Sequence, residues 1–342
     1  MSVVVLAHEQ FPDRAKTALG LLRYGDREVV AVLDRDNAGD RVRDHVPDVQ
    51  DAPIVASMAE APDCDELVIG IAPIGGGFEE SWRPDVRTAM ERGCDVTAGL
   101  HYFLAEDDEF ATLAERHDCT LTDVRRPPDD LTVAEGTASQ VDAAVVTTVG
   151  TDCSTGKMTT AYALRDAARE RGVDAAVVPT GQTGIMIDGA GIAIDRTVSD
   201  FAAGAVERMI HERADHDLLL VEGQGALAHP AYSGVTLAIL HGSQPDSLLM
   251  THVAGREAVH GFEDFALPPV DEYARLYESV AAPVRETSVV AGALNTSHLD
   301  PDAARAAVEG YADDLGTPAV DPVRDDPGPV LDAILDAVDS SA

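Results

Sequence analysis

Ten consecutive residues carry the strongest chemical signal in this chain: Gly150, Thr151, Asp152, Cys153, Ser154, Thr155, Gly156, Lys157, Met158 and Thr159. The apolar run at 143–149 reads as a buried strand, and residues 158–171 read as a helix. A strand, a glycine-bracketed loop and a lysine opening a helix make a phosphate-binding loop. Its backbone N–H groups point inward at an anion, and the lysine adds a mobile positive charge. Lys157 is one of only two lysines among 25 basic residues, the rest being arginine. A lysine here is not an accident of composition.

Two departures mark this loop. Five residues rather than four separate Gly150 from Gly156, and Met158 stands where a Ser or Thr usually binds magnesium. That role would fall to Thr159 or Thr160. The spacing resembles the loop of dethiobiotin synthetase-type NTPases. A second anchor lies at 217–225, an apolar strand ending in Glu222, Gly223, Gln224 and Gly225. A carboxylate at that strand end can hold Mg²⁺ or act as a general base. Gln182, Thr183 and Gly184 follow the intervening strand, where open α/β sheets bind ligands, and can orient a substrate carboxylate or form a turn. Asp200 stands at a helix start, as a catalytic acid or a cap. Asn295 ends a later strand, either closing a turn or reading a base as in the resembled NTPases. Cys153 precedes a helix N-terminus, where the dipole and Lys157 would lower a thiol pKa, so it is an acyl carrier or a small loop residue. His229, His241 and His252 fall near strand ends as general bases or structural histidines.

The elements that must position these residues alternate between strand-like and helix-like. Strands are expected near 3–7, 28–34, 66–73 and 95–100, then near 143–149, 173–179, 217–221, 246–252 and 288–294. Helices are expected at 14–24, 198–213, 270–282 and 330–338. Such alternation specifies parallel α/β sheets. The first strand is not followed by G-x-G-x-x-G, so a dinucleotide site is not expected there, although Asp34 ends the second strand where a ribose-binding acid would sit. Ile74, Gly75, Gly76 and Gly77 form an anion loop or a tight turn. Two domains are expected, at 1–128 and 141–342, with the proline-bearing stretch 129–140 as linker.

Composition narrows the partners. With 61 acidic and 25 basic residues the net charge is −36, which repels nucleic acid and anionic membranes. The same acidic, lysine-poor surface matches proteins of salt-rich, halophilic cytoplasm. Cys64, Cys94, Cys119 and Cys153 form no C-x-x-C pair, as expected in a reducing compartment. The apolar start is too short for a signal peptide and the stretch 223–245 is broken by Gly, Pro and His, so a soluble, cytoplasmic chain is expected.

Together the loop 150–160, Gly181 to Gly184, Ser199 to Phe201, Val221 to Gly225 and His241 to Asp246 resemble the D-glutamate N-acetyltransferase-like family, long described as a domain of unknown function. The segments 69–73 and 123–128 match too, so the resemblance spans essentially the whole chain. It implies a Rossmann-like N-terminal domain joined to a P-loop NTPase-like domain with a mainly parallel sheet, both three-layer α/β. It also implies acetyl-CoA-dependent N-acetylation of an amino acid such as D-glutamate. The residues alone leave two alternatives open: an ATP- and Mg²⁺-dependent carboxylate–amine ligase or kinase, and a nucleotide-binding regulatory protein without turnover. The expected partners are a small amino-acid substrate and further copies of the chain in a homo-oligomer.

Overall fold

A computed structural model describes residues 1–71, 73 and 75–341, with side chains through residue 338. Of the expected glycine loop 74–77, residue 74 lies outside the described residues. The chain divides into two compact units, Met1–Pro128 with Gln182–Arg196, and Asp129–Gly181 with Thr197–Ala342.

The first unit is built on β1 (Ser2–Leu6), β2 (Glu28–Leu33), β3 (Ile54–Val55), β4 (Glu66–Ile69), β5 (Asp95–Ala98) and β6 (Leu121–Asp123). They pair in the order β3-β2-β1-β4-β5-β6, all parallel, which is the Rossmann arrangement. Val3, Val4, Val5 and Leu6 are wholly buried, as a strand covered on both faces requires. At the carboxyl end of β2, Asp34 is spent structurally, accepting from the Glu9 N–H at 2.6 Å and from Asn37 Nδ2 at 2.6 Å. His8, also buried, faces the Asp85 carboxylate at 3.1 Å.

The helix Gln182–Asp188 belongs to this unit, not to the P-loop domain expected at 141–342. Thr183 Oγ1 meets Thr17 Oγ1 at 2.8 Å. Gly20 lets the helix Lys16–Tyr24 approach it, since a Cβ there would stand 3.0 Å from Thr183 Cγ2 and Ile187 Cδ1. Arg125 pairs with Asp195 and holds the end of the segment. Cys64 and Cys94, 30 residues apart, bring their sulfurs to 3.4 Å, a proximity that spacing did not signal.

The second unit contains β7 (Ala144–Gly150), β8 (Ala175–Val178), β9 (Leu218–Val221), β10 (Ser247–Val253), an antiparallel pair β11 (Ala258–Val259) and β12 (Phe262–Ala266), then β13 (Ser288–Asn295) and β14 (Ala319–Val320). The main sheet runs β14-β13-β10-β7-β9-β8, again parallel. β7 lies between β9 and β10, so the sequence order reverses beside it, and sheets of this order bind ligands at the carboxyl ends beside such a reversal. The stretch 129–140, expected as a linker, is fastened to this unit. Buried Glu207 accepts the N–H groups of Glu135 and Thr137 at 2.7 and 2.6 Å, and Gln244 Oε1 accepts that of Ser139. Among the described residues, no helix is long and apolar enough to cross a membrane.

Candidate functional site

The loop after β7 is held by its own residues and by the strand beside it. Ser154 and Gly156 adopt positive φ, 54° and 107°, which reverses the chain so that Gly156 starts the helix Lys157–Glu170. Buried Thr155 meets Thr251 of β10 at 2.6 Å through their hydroxyls, and Tyr277 donates to the Gly150 carbonyl at 2.7 Å. Thr151 Oγ1 pairs with His252 Nδ1 at 2.7 Å. Burial, reinforced by the nearby Arg256 charge, lowers the His252 pKa to about 4 and keeps it neutral near pH 7.

Lys157 is 7% exposed, and its ammonium reaches back to the Asp152 carbonyl at 2.7 Å and to Thr155 Oγ1 at 3.3 Å. Two glycines wall its stem. A Cβ on Gly150 would come within 3.0 Å of Nζ, and one on Gly223 within 3.1 Å of Cδ. Asp152 is wholly buried, yet its carboxylate is compensated. Arg256 Nη1 and the His260 N–H reach Oδ2 at 2.9 and 2.8 Å, and the Cys153 N–H reaches Oδ1 at 2.7 Å. Charge-assisted bonds of this kind contribute about 1.5–3 kcal/mol each and satisfy the buried oxygens. Arg256 also donates to the Cys153 carbonyl, so it clamps the loop at two points.

Glu222 ends β9 almost fully buried. Its Oε2 accepts the N–H groups of Thr180 and Gly181 at 3.3 and 3.2 Å, while Thr180 Oγ1 donates to its backbone carbonyl at 2.6 Å. Gly223 donates its N–H to Thr148 Oγ1 at 3.0 Å, which joins β9 to β7 at the edge where the loop begins. Thus the structure brings Gly150 to Thr159, Glu222 and Gly223 to one sheet edge in the second unit. Gln182, Thr183 and Gly184 fall in the first unit, with the Thr183 hydroxyl engaged by Thr17. Asp200 lies exposed in the first turn of the helix Ser199–His211. Asn295 closes a turn, its Oδ1 accepting from the Ser297 N–H at 3.0 Å.

Neither Arg256 nor His260 was singled out in the sequence. They follow the carboxyl end of β10 by a few residues, and only the pairing of β10 with β7 places them on Asp152. A cleft of about 760 Å³ opens beside them, lined among others by His252, Arg256, Glu257, Asp271 and Asp314. That volume suits a small-molecule ligand.

The donor set fits an anionic phosphate better than a magnesium nucleotide. Met158, where the metal-binding hydroxyl would be, is packed into the core at 5% exposure. Thr159 is turned about 100° further round the helix. The Thr160 hydroxyl is spent on the Gly156 carbonyl at 3.0 Å. The loop amides and the Lys157 ammonium remain the groups suited to an anion.

A Rossmann-type sheet and a P-loop sheet, the latter carrying a lysine-bearing phosphate loop, define a two-domain α/β protein of the P-loop class. A family model described as a P-loop domain of unknown function, DUF1611, matches residues 132–331, and a Rossmann-like DUF1611_N model matches residues 35–127. The chain belongs to the DUF1611 family. A relative named D-glutamate N-acetyltransferase from Tritonibacter scottomollicae is 37% identical over 281 residues, covering 81% of this chain and 83% of the relative. One of the same name from a Pseudoalteromonas species is 36% identical, covering 76% and 78%. The crystal structure of a DUF1611 protein from Anabaena variabilis ATCC 29413 superposes with a TM-score of 0.91 at 39% identity, covering 98% of this chain and 99% of that one.

Proposed function

We propose that this protein is an N-acetyltransferase that acylates the amine of an acidic amino acid, D-glutamate foremost, and that its P-loop holds the phosphates of acetyl-CoA. The observation that carries the reading is a phosphate loop whose metal-hydroxyl position is a buried methionine, in a chain 36–37% identical to relatives named for that activity. Bound acetyl-CoA would supply an activated acetyl thioester. Lys157 and the loop amides hold its phosphates, while the cleft beside Arg256 receives the amino acid. The acids of that cleft favour the substrate's ammonium group, and Arg256 at its edge favours a carboxylate. Glu222 acts by positioning, because its carboxylate binds the amides of the turn at 180–181.

The test is a parallel assay of acetyl-CoA and ATP against D- and L-glutamate. Coenzyme A release with D-glutamate is expected. Substrate-dependent ADP release would replace this reading with a ligase or kinase. Tight nucleotide binding without turnover would make the protein a regulatory binder. Glu222→Gln is expected to lower kcat by roughly 5- to 150-fold while changing acetyl-CoA affinity little. The amide can accept only one of the two N–H groups without presenting a donor to the other, and a loss of about 1–3 kcal/mol follows. Wild-type turnover in this variant would reduce Glu222 to a strand terminator.

We also place the protein in a salt-rich cytoplasm. A net charge of −36 self-repels at low ionic strength. Raising KCl from about 0.1 M to about 1 M shortens the screening length from ~10 Å to ~3 Å and should raise Tm by several degrees. A melting temperature indifferent to KCl would remove that assignment.

A further inference from the structure

Cys153 is the one thiol of the loop. Its Sγ, a ring nitrogen of His229 and a carboxylate oxygen of Asp152 all lie within 4.8 Å of one another. His229 is 2% exposed, and its Nδ1 accepts the Ala231 N–H at 3.1 Å, which puts the proton of the neutral ring on Nε2. Burial holds the His229 pKa below its ordinary value, so that neutral form prevails near pH 7. A divalent cation is a poor occupant for this trio. The Lys157 ammonium sits on the Asp152 carbonyl, and the Arg256 guanidinium already takes the Asp152 carboxylate. The Arg256 guanidinium offsets the repulsion that the Asp152 carboxylate would exert on a thiolate beside it. Cys153 is only half-buried, so a substrate can reach it. It also lies at the head of the helix Lys157–Glu170, whose N-terminal dipole adds in the same direction.

We propose that Cys153 is the acyl acceptor of this site, a thiolate that takes the acetyl group from the donor thioester and passes it to the amine, with His229 as hydrogen-bond donor. The inference rests on the acetyltransferase reading above. The Cys153 sulfur adds to the donor carbonyl carbon. The donor C–S bond then breaks, leaving a Cys153 thioester and coenzyme A as a thiolate that takes up one proton. The free amine of the amino acid adds to the Cys153 thioester carbon, and the Cys153 C–S bond breaks. An amide forms, one amine proton is released, and Cys153 returns as thiolate. Protons balance over the two steps, and no oxidant or metal enters. Among the described residues, Asp152 and His229 lie within 4.8 Å of the sulfur and Tyr273 and Tyr277 feel its charge, while Lys157 and Arg256 act on Asp152 beside it.

The experiment has two arms. In the first, the full chain is mixed with acetyl-CoA in the absence of amine, quenched in acid and mapped by peptide mass spectrometry. One hydroxylamine-labile acetyl group is expected on Cys153 and none on Cys153→Ala, which should lose turnover at least about 100-fold. In the second, iodoacetamide at pH 7 without acetyl-CoA should alkylate Cys153 at least about tenfold faster than Cys119, whose thiol pKa burial pushes up. His229→Gln should move the pH profile of that alkylation upward. If the wild type acetylates D-glutamate, shows no adduct and Cys153→Ala keeps its kcat/KM, transfer is direct; Cys153 is then a loop residue and the acetyltransferase reading stands. If the wild type transfers acetyl to no amino acid, that reading and the acyl-cysteine fall together. Alkylation at the rate of Cys119 would by itself overturn the thiolate.

Discussion

Lys157→Ala is expected to weaken acetyl-CoA binding by roughly 30- to 150-fold while leaving both units folded. The range is the loss of a charge-assisted hydrogen bond of about 2–3 kcal/mol, converted at about 1.4 kcal/mol per decade. The ammonium satisfies the Asp152 carbonyl and Thr155 Oγ1, so it is held inside the loop. Lys157→Arg should rescue little. Gly150 and Gly223 crowd this side chain, since Cβ atoms there would lie 3.0 Å from its ammonium nitrogen and 3.1 Å from its Cδ, and a planar guanidinium is wider than an ammonium. Titration calorimetry with acetyl-CoA and ATP, alongside far-UV circular dichroism, checks both variants. Unchanged affinity for both ligands would show that the loop binds neither through this lysine.

The loop was legible in the sequence because its signal is local. Glycine spacing, one scarce lysine and flanking apolar periodicity all fall within about 30 residues. The parallel α/β class and the main strands were legible for the same reason, since each is a short buried run bounded by turn residues. What escaped was set by long-range pairing. Arg256 and His260 reach Asp152 across 104 and 108 residues of chain, and no local pattern marks an arginine as a clamp. The helix Gln182–Asp188 follows a strand of the P-loop sheet and so reads as part of it. The Thr17–Thr183 contact and the small Gly20 surface assign it to the first unit instead. The edge strands β3, β6 and β14 are only two or three residues long, too short for an alternation to register. Cys64 and Cys94 meet only after folding.

The type of residue at each loop position carries more chemical information than the motif as a whole. A lysine followed by a buried methionine keeps the anion cradle and gives up a hydroxyl ligand. A buried Asp152 bound by Arg256 is the keystone of the loop, since it fixes Cys153 through its backbone N–H and receives the segment after β10. That coupling makes the loop shape depend on residues outside it, so loop variants should affect stability and binding together.

Gly223→Ala provides the largest expected structural effect. A Cβ at this position would stand 1.8 Å from the Thr148 carbonyl oxygen, backbone of β7, and cannot be relieved by rotating a side chain. The end of β9 would have to move away from β7, breaking the Gly223 N–H bond to Thr148 Oγ1 and pushing on the Lys157 stem. Overpacking of this kind costs about 3 kcal/mol or more. For a unit of this size that corresponds to a fall of roughly 6–12 °C in its melting temperature. Acetyl-CoA affinity should fall with it, because the displaced strand end supports the lysine. Gly310→Ala is the matched control. It lies exposed within the helix Pro301–Leu315 with no atom within 4 Å of its added Cβ, and Gly→Ala in a helix stabilises by about 0.4–1 kcal/mol. Differential scanning calorimetry of the two variants, with acetyl-CoA titrations of each, separates close strand approach from a general intolerance of added methyl groups. Equal melting of Gly223→Ala and the wild type, with equal affinity, would mean that β7 and β9 do not converge at this edge and that the lysine is not held by them.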